Sequence, residues 1–336
     1  MKYNMTKWLN DIISSPIKKA FPILSFPALD FMDIKVSDLV SSGEYQTKAM
    51  EIIAEKTDSY AAVSLMDLSV EAECFGATVH FSDDEVPTIT GHLIETEEDA
   101  EKLQVPPIGS GRTGECLKGI KLAVEKICDR PVFAGVIGPY SLAGRLLGVT
   151  EIMMDCYDEP EKVETVLEKC TAFLINYCKA FKETGANGVI MAEPLTGLLS
   201  PSLAEEFSTP YVKKIIDEIK DDNFAVIYHN CGDRTISIID SVLKTGASCY
   251  HFGNAINMAD MLSHIPSDVI AMGNIDPAGE LKNGDCDLVK SETKKLLEEC
   301  SKYNNFVISS GCDIPPKTPW ENINAFFETV KNFYGE

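Results

Sequence analysis

Arginine is scarce in this chain. Four occur among 336 residues: Arg112, Arg130, Arg145 and Arg234. A site for a polycarboxylate or polyphosphate is normally built from several such bidentate donors, so that ligand class is disfavoured. Positive charge is short overall, with 30 Lys and Arg against 52 Asp and Glu and a formal net charge of −22. Nucleic-acid binding needs a basic footprint, and this balance excludes it, together with attraction to an anionic membrane surface. Long apolar runs are missing too. None approaches the roughly 20 residues that span a bilayer, so no membrane partner is expected. The opening stretch MKYNMTKWLNDIISSPIKKAF mixes acidic and basic residues without a long apolar segment. No signal peptide and a cytoplasmic location are therefore expected. Finally, no Cys-x-x-Cys pair occurs, which speaks against an ordinary zinc ribbon.

What is plentiful is apolar residues, at 45%, and cysteine, at eleven. An odd count in a long chain without an export signal does not read as a disulfide framework. Cys170 and Cys178 lie in a helical pattern, and Cys128, Cys156 and Cys300 sit near helix ends. The usual fate of such a thiol is a small buried apolar residue.

Short apolar runs alternate with longer helical patterns. Strands are predicted at 21–28, 59–68, 131–138, 187–193, 223–230, 247–254, 268–275 and 305–312. Their near-continuous hydrophobicity suits a parallel sheet buried on both faces. Helices are predicted at 44–56, 114–128, 160–184, 200–220, 233–245, 287–303 and 319–335. The stretch from Pro160 is the clearest, with Pro at its start, acidic residues in the first turn and apolar residues at helical spacing. Eight strands alternating with helices predict an α/β fold, a (β/α)8 TIM barrel, with an open doubly wound sheet as the alternative. The whole chain, 1–336, reads as one barrel domain. Residues 1–20 form an N-terminal helical extension, and 71–95 a β-rich insertion after the second strand.

Barrel chemistry sits where the strands end. The fifth predicted strand ends in YHNCGD, residues 228–233. Side chains at i and i+2 of an extended segment point the same way, so His229 and Cys231 can converge on one ion. Cys312 stands at the end of the eighth strand. His, Cys and Cys suit Zn²⁺, and three protein ligands leave a fourth position open, the catalytic pattern. The alternative is that His229 caps a loop and both cysteines merely pack at strand ends. Gly232 reads as the tight exit that lets both side chains face the barrel axis.

The segments YHNCGD, YHFGNAINMAD, AMGNIDPAGEL, FVISSGCDIPPKTPWENI and GVIGPYSLAGRLLG occur in order from about residue 20 onward. Together they resemble the uroporphyrinogen decarboxylase superfamily, which is a (β/α)8 barrel. Its decarboxylase branch carries arginines in an N-terminal segment and works without metal. The corresponding FPILSFPALDFMDI has neither arginine nor lysine. The other branch comprises cobalamin-dependent methyltransferases, similar to the methylcobalamin:coenzyme M enzymes, which bind zinc through His-x-Cys and a later Cys. His229, Cys231 and Cys312 match that pattern. The resemblance implies zinc as cofactor, methylcobalamin carried by a separate corrinoid protein as methyl donor, and a small thiol as acceptor. A metal-free decarboxylase, methyl transfer to tetrahydrofolate, and a non-catalytic corrinoid- or thiol-binding scaffold are the other readings. Association with further copies of the chain is left open.

Around this centre, Glu193, Asp67 and Glu71 are alternatives for a fourth ligand or for hydrogen bonding at the rim. Asn254, Asn274 and Asp276 match the family's GN and GNxDP segments and are placed in the pocket, holding loops or substrate. Capping ahead of Pro277 is the alternative for Asp276. Tyr140, Ser141 and Glu193 are placed with the substrate, packing being the alternative for the first two. Arg145 and Arg112 are conceivable anchors for an anionic acceptor. His251 faces the rim but is left outside the ligand set, and Met153 and Met154 read as core.

Overall fold

The computed structural model describes residues 3–335. Among them nine strands form: β1 (Ala62–Val63), β2 (Thr78–His80), β3 (Thr88–Thr90), β4 (Val132–Ile137), β5 (Gly188–Ala192), β6 (Ala225–Asn230), β7 (Cys249–Phe252), β8 (Ile270–Ile275) and β9 (Phe306–Ser310). β2 and β3 make a separate antiparallel hairpin. The other seven form one parallel sheet in the order β1-β4-β5-β6-β7-β8-β9. Helices such as Pro160–Glu183 connect successive strands, which makes this a (β/α)8 TIM barrel.

The first predicted strand takes a different form. Residues 20–23 run between β1 and β9 without a regular ladder. Tyr60 N donates to the Ala20 carbonyl on one side, and Phe21 N donates to the Ile308 carbonyl on the other. Ile23 O accepts from Ile314 N. This segment fills the gap where the sheet closes on itself. Pro22 has no N–H to give, so a continuous ladder is impossible there. Pro27 then starts a 3₁₀ turn, Phe26–Phe31, where strand was predicted.

Other boundaries shift for similar local reasons. The helix expected over 200–220 is two helices, Pro201–Phe207 and Thr209–Ile219, with Pro210 at the junction. Residues 71–95 carry a helical turn, Val70–Phe75, before the hairpin. Two expected core residues are exposed: Cys128 and Met154, at 57%. Met153 packs against the core, half-buried. All eleven cysteines are free thiols.

Two apolar layers hold the fold. One lies between sheet and helices. The other fills the barrel: Phe21, Ile23, Val63, Phe133, Ile190, Ile227, Met272 and Val307 belong to it. The helix Met5–Ser14 contributes Met5 and Ile12 to this interior layer. Its Trp8 ring meets Phe21, Tyr60 and Phe133 at 6.2–6.3 Å. That end of the barrel is therefore filled by aromatic rings, and polar side chains gather at the other.

Candidate metal centre

Alternation along a strand sends every second side chain into the barrel. On β6, Ala225 and Ile227 belong to the interior layer, and His229 and Cys231 continue that row. On β7, Cys249 is interior, and His251 follows it in register beside His229. On β9, Val307 is interior, Ser309 comes next, and Cys312 lies just beyond the strand. All three rows thus turn polar toward the ends of their strands.

The ligand atoms of His229, Cys231 and Cys312 all lie within 4.8 Å of one another. Cys312 Sγ stands 3.6 Å from His229 Nε2. A tetrahedral zinc ion, with bonds of about 2.3 Å to sulfur and about 2.0 Å to nitrogen, holds such atoms about 3.6 Å apart. The donor set and its spacing fit zinc. Hydrogen bonding with the Cys312 thiol pulls Cys231 down to about 7 against the opposing effect of burial. The same bond pushes Cys312 up to about 12.

Glycine makes room for this arrangement. A Cβ at Gly253 would sit 2.6 Å from Cys231 Cα and Cβ, and one at Gly311 2.6 Å from Asn254 N. The Gly253–Asn254 turn therefore wedges between the two cysteine-bearing segments with no space to spare. Gly253→Ala should displace Cys231 and weaken metal binding by about tenfold or more, about what disturbing a ligand's support costs. Metal per chain after dialysis, beside an unchanged circular dichroism spectrum, checks this. Gly232 serves a related purpose. Its backbone passes 2.8 Å from where a Gly197 Cβ would lie, so close approach to that neighbouring loop explains the glycine.

The remaining predicted residues fall elsewhere. Glu193 is fully buried and accepts from Tyr140 N, Ser141 N, Ser141 Oγ and Thr196 Oγ1. Burial pushes its carboxyl up to about 7, opposed by these donors. It fastens the start of the helix Pro139–Leu147 to the end of β5. Tyr140 is buried with its hydroxyl 3.7 Å from Cys156 Sγ, so packing is the role its geometry supports. Asn274 Nδ2 donates to the Gly253 and Ile256 carbonyls, holding the loop that carries the wedge. Asp276 Oδ1 caps Ala278 N and Gly279 N. With Asn254 these two border a cavity of about 260 Å³ that none of the three metal-capable residues lines. Asp67 is held by Arg112 and Ser69, and Glu71 accepts from Ile137 N. Neither carboxylate joins the three-residue group.

Glu71 carries a pH effect. Burial raises its carboxyl to about 7, while the unfolded chain releases that proton near pH 4.5. The unfolded state therefore deprotonates first, and stability falls as pH rises between these values. Melting of Glu71→Gln should show a shallower fall than the wild type between about pH 4.5 and pH 7.

The sequence reading omits Ser309 and Asp313 and leaves the rim-facing His251 outside the ligand set. His251 Nδ1 lies 2.7 Å from His229 Nδ1, and its Nε2 lies 2.7 Å from Ser309 Oγ. Burial, and then the neighbouring His229, hold the His251 imidazole well below its ordinary pKa. Asp313, beside Cys312, accepts from Met66 N, while its Oδ1 has no hydrogen-bond partner among the described residues. Desolvation drives its carboxyl well above the usual range. The signal for Ser309 was a hydroxyl in an interior position of an otherwise apolar strand.

The family model of uroporphyrinogen decarboxylase matches residues 29–333. The chain belongs to this family. Among curated relatives, methylcobamide:CoM methyltransferase MtbA of Methanosarcina acetivorans is 30% identical over 329 residues, covering 93% of this chain and 94% of that protein. A uroporphyrinogen decarboxylase of Prochlorococcus marinus is 27% identical, covering 70% of this chain and 66% of that one. Among solved structures, a methyltransferase from Methanosarcina mazei superposes with a TM-score of 0.86. It is 24% identical and covers 99% of this chain and all of its own. Similarity within the family thus extends further along the methyltransferase relative than along the decarboxylase.

Proposed function

We propose that this chain is a corrinoid-dependent methyltransferase, moving a methyl group from a methylated corrinoid to a thiol held at zinc by His229, Cys231 and Cys312. The observation that carries the reading is the convergence of these three ligand atoms within 4.8 Å. The methyl donor, methylcobalamin, is carried by a separate corrinoid protein and consumed as substrate. In the transfer a sulfur–carbon bond forms, the cobalt–carbon bond breaks with its electron pair kept by cobalt, and the thiol proton leaves to solvent. When bound, zinc supplies the Lewis acidity that keeps the acceptor sulfur a thiolate at neutral pH.

The chain's own residues do the rest. Two cysteine ligands offset the charge of a divalent cation and so preserve the acceptor's nucleophilicity. Asn274 and the Gly253–Asn254 turn hold Cys231 in place. Glu193 fixes the adjoining helix, which carries Arg145. Of the two arginines considered as anchors, Arg112 is engaged by Asp67 and Glu73. Arg145, half-buried, has no hydrogen-bond or ion-pair partner among the described residues. It is the arginine left available to an anionic acceptor such as coenzyme M. No helix among the described residues is long and apolar enough to cross a membrane.

The test incubates the protein with methylcobalamin and a panel of acceptors, coenzyme M, other thiols and tetrahydrofolate, while Co(I) is followed by absorbance. Zinc-dependent transfer to a thiol supports the reading. Transfer only to tetrahydrofolate, or full activity in protein without zinc, overturns it.

A further inference from the structure

We propose that His251 is a positioning residue that fixes which nitrogen of His229 is free to bind metal, through a hydrogen-bond chain anchored on the Phe21 backbone carbonyl. The inference rests on the reading of His229 as a metal ligand.

The direction of every proton follows from the anchor. A backbone carbonyl can only accept. Ser309 Oγ lies 2.7 Å from Phe21 O and donates its single proton there. Toward His251 Nε2, also 2.7 Å away, Ser309 can then only accept, so the proton lies on His251 Nε2. A neutral imidazole has one N–H, which leaves His251 Nδ1 bare. His229 Nδ1, 2.7 Å from it, must donate. His229 Nε2 keeps its lone pair, and this is the atom 3.6 Å from Cys312 Sγ.

Metal-binding histidines usually hold their tautomer through a carboxylate, a backbone carbonyl or water. Here a second histidine and a serine stand between ligand and carbonyl. The three side chains are at most 2% exposed, so water does not compete for these bonds. Register supports the same assignment: His251 lies beside His229 across the parallel β6–β7 pair. Without His251, the His229 ring has no neighbour enforcing the metal-competent tautomer, and its Nδ1–H is buried without an acceptor.

The test reads tautomers and metal affinity separately. In metal-free wild-type protein, long-range ¹H–¹⁵N spectra should show His229 protonated at Nδ1 and His251 at Nε2. Zinc affinity, measured by competition with a chromogenic chelator, should fall about 10- to 100-fold in His251→Phe. His251→Gln restores an acceptor oxygen and should recover part of that loss. Ser309→Ala leaves both imidazoles in place; it should give mixed tautomers and weaker zinc binding than the wild type. The Nε2–H form of His229 in the metal-free wild type would overturn the proposal. So would a folded His251→Phe protein that binds zinc as tightly as the wild type. Should His251→Phe not fold, the wild-type spectrum and Ser309→Ala decide. A wild type with the expected tautomers that binds no zinc overturns the metal reading instead.

Discussion

Replacing Cys312 with alanine is expected to weaken zinc binding by roughly 100- to 1000-fold and to lower methyl transfer to a thiol by a similar factor at limiting zinc. The size follows from what such sites are worth. Zinc bound by peptide ligands is held by roughly 10–16 kcal/mol. Shared among the four ligands of such a peptide, that is about 2.5–4 kcal/mol each, or roughly 70- to 900-fold in affinity. Cys312 also neighbours both other members of the cluster, at 3.6 Å from His229 Nε2 and hydrogen-bonded with Cys231. No other His, Cys or acidic group joins this cluster among the described residues, so none stands ready to replace it. Cys231→Ala should behave alike, whereas Cys128→Ala, at an exposed thiol, should change neither quantity. Zinc per chain after dialysis, read beside the Co(I) assay, makes the measurement. A Cys312→Ala protein that keeps stoichiometric zinc and full rate would sink the assignment.

Arg112→Ala should destabilise the protein by about 3–5 kcal/mol, because removing one partner of a buried ion pair leaves an uncompensated charge. Arg112 and Asp67 are 7% exposed, and they pair directly. The same guanidinium reaches Glu73 and Ser69 Oγ, and the Phe81 ring lies 4.9 Å from its Cζ. One planar fork thus serves three partners, which a lysine cannot do. Arg112→Lys should therefore recover only part of the loss. The double variant Asp67→Asn with Arg112→Met should be less unstable than Arg112→Ala, since the buried charge of Asp67 is removed with its partner and only the more exposed Glu73 loses its pair. Urea midpoints with unchanged m-values would measure this. A loss below about 1 kcal/mol in Arg112→Ala would overturn this account of the pair.

Much of this was legible in the sequence because it rests on short-range rules. The i, i+2 geometry of His229 and Cys231 follows from strand alternation alone. The apolar runs of β4 to β9 could be read because both faces of a parallel sheet are buried. What escaped depends on contacts between distant segments. Pro22 and Pro27 sit in an apolar run that reads as strand, and only the closing sheet reveals an irregular stave followed by a 3₁₀ turn. Glu193 stands at a strand end like a ligand, yet its oxygens fasten backbone N–H groups 52 and 53 residues away. His251 reads as rim-facing but falls outside a set that His229, Cys231 and Cys312 already fill. Its importance lies in the register with β6 and in a serine 58 residues later, neither of which the local sequence displays.

The stave at residues 20–23 also sets a schedule. Phe21 is bonded through its carbonyl to Ser309, 288 positions later. A ribosome adding about 5–20 residues per second would take roughly 15 to 60 seconds to cover that distance. Throughout that interval the nascent chain holds an unclosed barrel. His229 and Cys231 emerge well before Cys312, and the carbonyl that orders the imidazole protons waits for β9. On the proposed reading, metal affinity therefore arrives at the end of synthesis, together with closure, and a half-made chain has no complete site to load.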